Sequence, residues 1–297
     1  MPKLVVDDIL DKIEQLPEPP QITMRVRQML EDETTTAEQL ADVIKLDAWF
    51  TGQILKLSNS AAYGLKNRIA SVKEAVAIVG FRVLKSMVYT ILASSTLSES
   101  AQGYSLEKGD LWHNGLTCAL YAKHIASKQA DVDNELAYTA GLLHGIGKVV
   151  LSDAVGVNYA DIESLAYKKR IDFLSAEEEV VGINHCQAGA RIAKNWGLPA
   201  VLINSIAYYN KPSSAPDDID LNAFKVMTCV HLANLLTHMI GKSNGADGLM
   251  YALDNEALSR SSLTTGKGYF DKLVSELVDL NPVIQSTIES MRASKQL

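Results

Sequence analysis

The stretch Gly141-Leu142-Leu143-His144-Gly145-Ile146-Gly147-Lys148-Val149-Val150-Leu151 decides how this chain is read. Apolar residues at helical spacing run into it and out of it. At its middle a histidine is followed by two glycines, one residue apart, and then by a lysine. A glycine inside a helix costs about 1 kcal/mol relative to alanine. A helix that merely packs on its neighbours rarely carries such a polar, flexible break. The pattern therefore predicts a helix that ends near Leu143, an interruption at His144 and Gly145, and a second helix from Ile146.

Outward from this point the periodicity stays helical. Downstream helices are expected over residues 159–170, 175–181, 184–196, 199–209 and 221–240. Upstream, 111–128 and 133–143 read the same way. Trp196-Gly197-Leu198-Pro199 is a helix stop and restart, with Gly197 in the left-handed turn. Residues 98–110 hold Ser, Gly and charge and form the best internal boundary. Before it, residues 3–16 put Ile9, Ile13 and Leu16 on one face and Asp7, Asp11 and Glu14 on another. Leu16-Pro17-Glu18-Pro19-Pro20 stops that helix and feeds the next, over 21–32. Thr36–Gln39, Ser71–Glu74 and Ser175–Glu178 each fit a reciprocal capping box, and Asp47 can cap the helix holding Phe50, Ile54 and Leu57. Gly80 separates helices over 71–79 and 81–97; that pair looks superficially like a helix-turn-helix, but its second helix is apolar on too many sides to lie in a DNA groove. Breaks are expected at 211–220 and 243–248, and a helical hairpin over 269–279 and 282–294. No strand pair and no internal repeat is evident.

The totals fit an all-α protein. Of the 297 residues 47% are hydrophobic and only 6% aromatic, so aliphatic helix packing should dominate the core. Cys118, Cys186 and Cys229 are far apart and form no CxxC pair, which reads as buried thiols in a reducing compartment. No basic-then-apolar leader and no apolar run of about 20 residues is apparent, so a soluble, cytoplasmic protein without a membrane partner is expected. The net charge of −7 argues against general nucleic-acid binding. It is unevenly spread: residues 1–50 carry five basic against eleven acidic side chains, and residues 51–100 six basic against two acidic. Lys56, Lys66, Arg68, Lys73, Arg82 and Lys85 are either solvated helix faces or a local anion or partner site.

Several motifs in order resemble the HDOD domain. Its N-terminal half is matched by Leu16-Pro17-Glu18-Pro19-Pro20, by Leu57-Ser58-Asn59-Ser60-Ala61-Ala62-Tyr63-Gly64 and by Ala75-Val76-Ala77-Ile78-Val79-Gly80. Its second, HD-like half is matched by Leu111-Trp112, by residues 140–148, by residues 178–185, by Trp196-Gly197-Leu198-Pro199 and by His231-Leu232-Ala233-Asn234. The resemblance covers about 5–240. It implies an N-terminal helical half over 1–100, a degenerate HD-like half over 105–240, and a helical tail over 245–297 packed on the HD-like half.

The parent HD superfamily holds divalent metals with His, His-Asp and a distant Asp, and hydrolyses phosphate esters. Hard cations need anionic oxygen, imidazole adds a borderline ligand, and the metal lowers the pKa of its water. This chain departs from that set. The first His slot falls on Asn114; His113 sits about 100° further round the helix. The His of the pair is kept as His144, its Asp is Gly145, and the distant Asp is Asn234. The paired histidines before a Pro in many HDOD relatives fall on Tyr209 and Asn210, ahead of Pro212, while His185 is kept. One imidazole and two neutral amides should hold Mg or Mn poorly.

The resemblance then implies a bacterial regulatory module that works beside two-component or cyclic-dinucleotide systems through protein or ligand contacts, with no cofactor. Two other classes stay open. One is a metal-dependent phosphohydrolase with atypical ligands and a weakly bound divalent ion at the relic site. The other is a nucleotide or anion sensor whose pocket is lined by His144, Lys148, His185, Tyr209 and Asn210. Against the sensor stands the plainer reading of His144 as a core histidine satisfied by a backbone carbonyl. His185 is expected to bond an acid near Glu178, and Asn114 to hydrogen-bond Asn234 across the relic site.

Overall fold

A computed structural model describes residues 2–16, 21–240, 252–263 and 268–292. The Pro-rich turn at 17–20 and the break at 243–248 lie outside them. Among the described residues no strand forms, and a lone bridge joins Ala101 and Leu106. The helices are α1 (Pro2–Glu14), α2 (Gln21–Glu31), α3 (Ala37–Ile44), α4 (Ala48–Ser58), α5 (Val72–Thr96), α6 (Asp110–Ser127), α7 (Asn134–Leu143) and α8 (Lys148–Lys169). They continue with α9 (Phe173–Val181), α10 (His185–Asn195), α11 (Ala200–Tyr208), α12 (Leu221–Ile240), α13 (Asn255–Arg260), α14 (Tyr269–Val278) and α15 (Asn281–Arg292).

Local chemistry sets most helix starts. Thr36 and Gln39 form the reciprocal box at α3, and Asn184 and Gln187 form another at α10. Asp47 accepts from Phe50 N–H at 2.8 Å and starts α4. At Ser71 the box is half made: Ser71 Oγ accepts from Glu74 N–H, while the Glu74 carboxylate reaches back to Ala70 N–H. Ser175 is not a cap. Helix α9 starts two residues before it, and Asp172 accepts from Ser175 N–H at 2.7 Å. The two helices expected over 146–153 and 159–170 are one, α8. Gly156 sits inside it because a Cβ there would lie 3.2 Å from Gly103 Cα, so the glycine serves a close contact and does not break the helix.

The contacts divide the chain into one unit of Met1–Pro17 with Thr96–Leu277 and another of Glu18–Ser95 with Val278–Leu297. The resemblance implied a different division, into 1–100, 105–240 and 245–297. In the first unit α1 packs on α8, α9 and α10 through buried Ile9 and Ile13. Helices α6, α7 and α12 form its centre, and α10 pairs with α11. In the second unit α2 packs on α3, and α15 packs on α4. The tail is therefore split. Helix α14 belongs to the unit that carries α6 to α13, and α15 belongs with the N-terminal helices; the apolar stripe of α15, with Ile284 and Ile288 buried, finds α4.

The expectation that no stretch is long and apolar enough to cross a bilayer needs correction. Val72–Ser94, Asn134–Lys169 and Leu221–Ile240 meet that standard by length and composition. Two of them are interrupted. Gly80 has φ 77° and ψ 168°, which breaks α5, and residues 144–147 separate α7 from α8. The third, α12, is 78% buried within the fold and carries Thr228, His231, Asn234, Thr237 and His238 among its buried side chains.

Candidate functional site

The residues that the resemblance places at the HD ligand slots lie in the unit built around α6, α7 and α12. Asn114 is on α6, His144 caps α7, Gly145 lies in the turn that follows, and Asn234 is on α12; all three polar side chains are buried. Close backbone approach sets this geometry. A Cβ on Gly141 would come within 3.0 Å of Ala119 Cα, and one on Gly115 within 2.8 Å of the Leu142 carbonyl, so α6 and α7 touch main chain to main chain. Gly147 is tighter still: its Cβ would lie 1.9 Å from the His185 carbonyl oxygen and 2.6 Å from Gly189 N. Its φ of −66° is ordinary for any residue, so this glycine is required by contact between the start of α8 and α10, and not by backbone freedom.

His144 donates Nδ1–H to the Gly141 carbonyl at 2.6 Å, and its ring meets the Tyr209 ring edge-on at 4.9 Å and 81°. Complete burial pushes its pKa down to about 3, against the raising effect of the Gly141 bond; the positive charge of Lys148 and the rings of His238 and His185 push the same way as burial. The ring is neutral at physiological pH. Lys148 places its ammonium 5.3 Å from the centre of the Tyr104 ring.

A second set of residues, only partly foreseen, forms the polar centre. Glu177 is fully buried on α9. Its Oε2 accepts from His185 N–H at 2.7 Å and from His185 Nδ1 at 2.8 Å, and its Oε1 accepts from the Tyr104 hydroxyl. His185 Nε2 lies 2.8 Å from the Tyr209 hydroxyl. Burial alone would strip the proton from His185, but the Glu177 carboxylate outweighs it and raises the pKa well above 6.5. The acid on His185 is thus Glu177; the neighbouring Glu178 bonds Asn184 and Gln187 instead. His231 extends the network by bonding the Tyr209 carbonyl through Nδ1 at 3.0 Å. Asp254 N–H donates to its Nε2 at 2.9 Å, which fixes a neutral ring with the proton on Nδ1. Burial lowers the pKa of His231.

Of the five residues expected to line a pocket, His144, His185 and Tyr209 come together, and Lys148 stands over Tyr104, the ring that also meets His185 edge-on. Asn210 is buried and meets His231 through its main chain. The expected bond accepted by Asn234 from Asn114 is absent: Asn234 Oδ1 is buried with no hydrogen-bond partner. Sequence reasoning missed Tyr104 and Asp254; it placed the acid on His185 near Glu178, and that acid is the adjacent Glu177. The one available signal was a carboxylate on the inner face of a capped helix eight residues before a retained histidine.

The sequence pattern of the HDOD domain matches residues 16–212. The chain belongs to the HDOD family. An HDOD domain protein of Geobacter sulfurreducens, of unknown function, superposes with a TM-score of 0.74 at 24% identity, covering 96% of both chains. A Marinobacter aquaeolei protein whose name suggests signal transduction superposes with a TM-score of 0.71 at 23% identity, over 95% of this chain and 61% of its own. An uncharacterized protein of Treponema pallidum is 27% identical over 227 residues, or 74% of this chain. This HDOD chain spans 43% of that relative's length.

The residues of this HDOD protein do not fit the divalent ion that the HD superfamily uses. Asn114 and Asn234 offer neutral side-chain oxygen at most, and Gly145 has no side chain to offer one. A Cβ on Gly145 would already stand 3.2 Å from Leu111 Cδ1, so a carboxylate could enter only if that leucine shifted. Lys148 adds positive potential at His144. Among the described residues no three His, Cys, Asp or Glu side chains are grouped to hold an ion. Asn234 Oδ1 is buried without a hydrogen-bond partner, and one neutral amide oxygen is a weak ligand for a hard cation.

Proposed function

We propose that this HDOD protein is a non-catalytic bacterial signalling module that acts through its surfaces, in the cytoplasm, beside two-component or cyclic-dinucleotide systems. The observation that carries the reading is the chemistry of the relic site. Where HD hydrolases place a histidine and two carboxylates the chain has Asn114, Gly145 and Asn234, and its retained His144 is neutral and bonded to the Gly141 carbonyl. A metal hydrolase needs charge on its ligands to hold the ion and a base to accept the proton from its water. The buried Glu177–His185 pair in this region is bonded to Tyr104 and Tyr209. Membership of the HDOD family supports a regulatory role.

The test is metal content and phosphodiester turnover of freshly purified protein. Substoichiometric Mn, Fe and Zn, with no hydrolysis of bis-p-nitrophenyl phosphate above a His144→Ala control, is the expected result. Stoichiometric metal with turnover that His144→Ala abolishes would establish the hydrolase reading instead. The sensor reading is checked by thermal shift. Nucleotides and inorganic phosphate at 1 mM should leave Tm unchanged, since the residues that would receive them are buried and bonded to one another.

A further inference from the structure

The six basic residues between 56 and 85 do not behave as one patch. Lys73 pairs with Glu38 at 3.2 Å and Lys85 with Glu31 at 3.6 Å. Lys56, Lys66 and Arg68 line an open groove of about 1230 Å³ between the outer face of α4, the segment 65–70 and Ser290 of α15. Among the described residues no carboxylate lines it, in a chain whose net charge is −7. Lys66 and Arg68 are exposed and make no ion pair among the described residues.

The segment that carries them is held in place. Asn59 Nδ2 donates to the Leu55 and Ile69 carbonyls at 2.7 and 2.9 Å, and its Oδ1 accepts from Ile69 N–H at 2.8 Å. Ala70 N–H donates to Glu74 at 2.9 Å. The two cations are therefore presented by a fixed loop, which lowers the ordering cost of binding. At the other end of the groove stands Trp49. It is 50% exposed, whereas Trp112 and Trp196 are buried. One turn along α4 from Trp49, a Cβ on Gly52 would meet nothing within 4 Å, so the groove floor beside the indole is open. A tryptophan and an arginine flanking an open floor have the composition of a binding hot spot.

We propose that this groove docks an acidic segment of a partner polypeptide that carries an apolar side chain for Trp49. Charge complementarity sets the sign of the occupant. Size sets its class: the groove is larger than the ~300–1000 Å³ of small-molecule pockets, and its wall from Ala48 to Asn59 runs about 17 Å along the helix. Asp or Glu side chains pair with Lys56, Lys66 and Arg68, and the apolar residue enters beside Gly52. The proposal deepens the reading of the chain as an interaction module, and it concerns a unit that contains none of the relic-site residues.

The test is selection from a phage-displayed library of random 12-residue peptides on the full-length protein, with a Lys56→Gln/Lys66→Gln/Arg68→Gln variant and a Trp49→Ala variant as comparisons. All four substituted side chains are at least partly exposed, and circular dichroism establishes that the variants fold. Enriched peptides should be acidic with at least one large apolar residue. They should bind the triple variant and Trp49→Ala at least tenfold more weakly, and shift the fluorescence of Trp49. Raising NaCl from 50 to 500 mM should weaken binding at least fivefold. Failure to enrich, enrichment without acidic bias, or equal binding to both variants would overturn the proposal. So would displacement of the peptides by inorganic phosphate or ATP at micromolar concentration, which would make the groove a small-anion site. Because the relic site is assayed separately by metal and turnover, failure here leaves the non-catalytic reading standing, and the converse holds too.

Discussion

Gly147→Ala should be among the most damaging conservative substitutions in this chain. The new Cβ would stand 1.9 Å from the His185 carbonyl oxygen and 2.6 Å from Gly189 N. A close carbon–oxygen contact is about 3.3 Å, so α8 and α10 would have to separate by more than an ångström. Both obstructing atoms are main chain, and no rotamer change relieves them. Overpacking that side chains can absorb costs about 1–3 kcal/mol; here the cost should reach or pass about 3 kcal/mol. At ~2–4 °C per kcal/mol for a domain of this size, Tm should fall by roughly 6–12 °C. The damage should also reach the polar centre, because the displaced residue is the one whose N–H and ring bond Glu177. Thermal unfolding followed at 222 nm checks this, with Gly52→Ala as the control. That glycine lies mid-helix with open space around it, so alanine should stabilise it by about 0.5–1 kcal/mol. A Gly147→Ala protein that melts within 2 °C of the parent would show that the two helices are not in contact as described, and would remove the reason offered for the glycine.

Other outcomes follow from the buried charges. Stability should fall on both sides of pH 6.5. His144, with its pKa depressed to about 3, and His231, also depressed, stay neutral in the fold but protonate when unfolded, so their contribution is present above pH 6.5 and lost as pH falls through the acid range. His185, with its pKa raised, is charged in the fold, so its contribution is present below pH 6.5 and lost as pH rises. Urea midpoints at pH 5, 6.5 and 8.5 should show both limbs, and Glu177→Gln should flatten the alkaline one; an unchanged alkaline limb would mean that Glu177 does not hold the proton on His185. Glu177→Ala should cost about 3–5 kcal/mol by leaving a buried cation unpaired, read as a lower urea midpoint at pH 6. Burial pushes the Cys118 thiol up and the Cys229 thiol to about 12, so Ellman's reagent should label neither in native protein at pH 8, and both once it is unfolded. Gly145→Asp with Asn234→Asp should raise Mn affinity only if a third change such as Leu111→Ala makes room at Gly145; calorimetric titration of the double and triple variants checks the order.

What was legible in the sequence was what neighbouring residues decide. The caps at Thr36 and Asp47 and the left-handed stop at Gly197 depend on groups within four residues of each other, and they stand where the pattern put them. Ser175 misled because Asp172, three residues earlier, is an equally good cap and the helix had already begun. The roles of Gly156 and Gly147 were hidden for a different reason. A glycine can mark a turn or a close approach, and only the partner chain segment, here Gly103 or His185, tells which. The fate of α15 was also hidden, since its apolar stripe would serve equally against either half of the chain. The family resemblance supplied the three replaced ligand slots. It could not supply Tyr104, which lies 73 residues before its partner Glu177.

The replaced ligands and the buried network bear on the same physical problem. In an HD hydrolase the ion's charge balances carboxylates set deep among helices. Remove the ion and keep the carboxylates, and like charges would repel in a low-dielectric interior. This chain has none of those carboxylates, which removes the repulsion, and carries its own internal pair, Glu177 with protonated His185. That pair is bracketed by Tyr104 before α6 and Tyr209 after α11, so it ties together segments that a shared metal could otherwise have tied. A buried pair of this kind is weak evidence for added stability, because a well-packed apolar substitute would often do as well. What it provides is a demand for one arrangement: each hydroxyl and carboxylate oxygen is costly if left unbonded, so the helices that supply them cannot slide. Under the proposed non-catalytic reading, function comes from what the frame displays, and the cationic groove beside Trp49 is a displayed feature with a charge, a shape and an open floor.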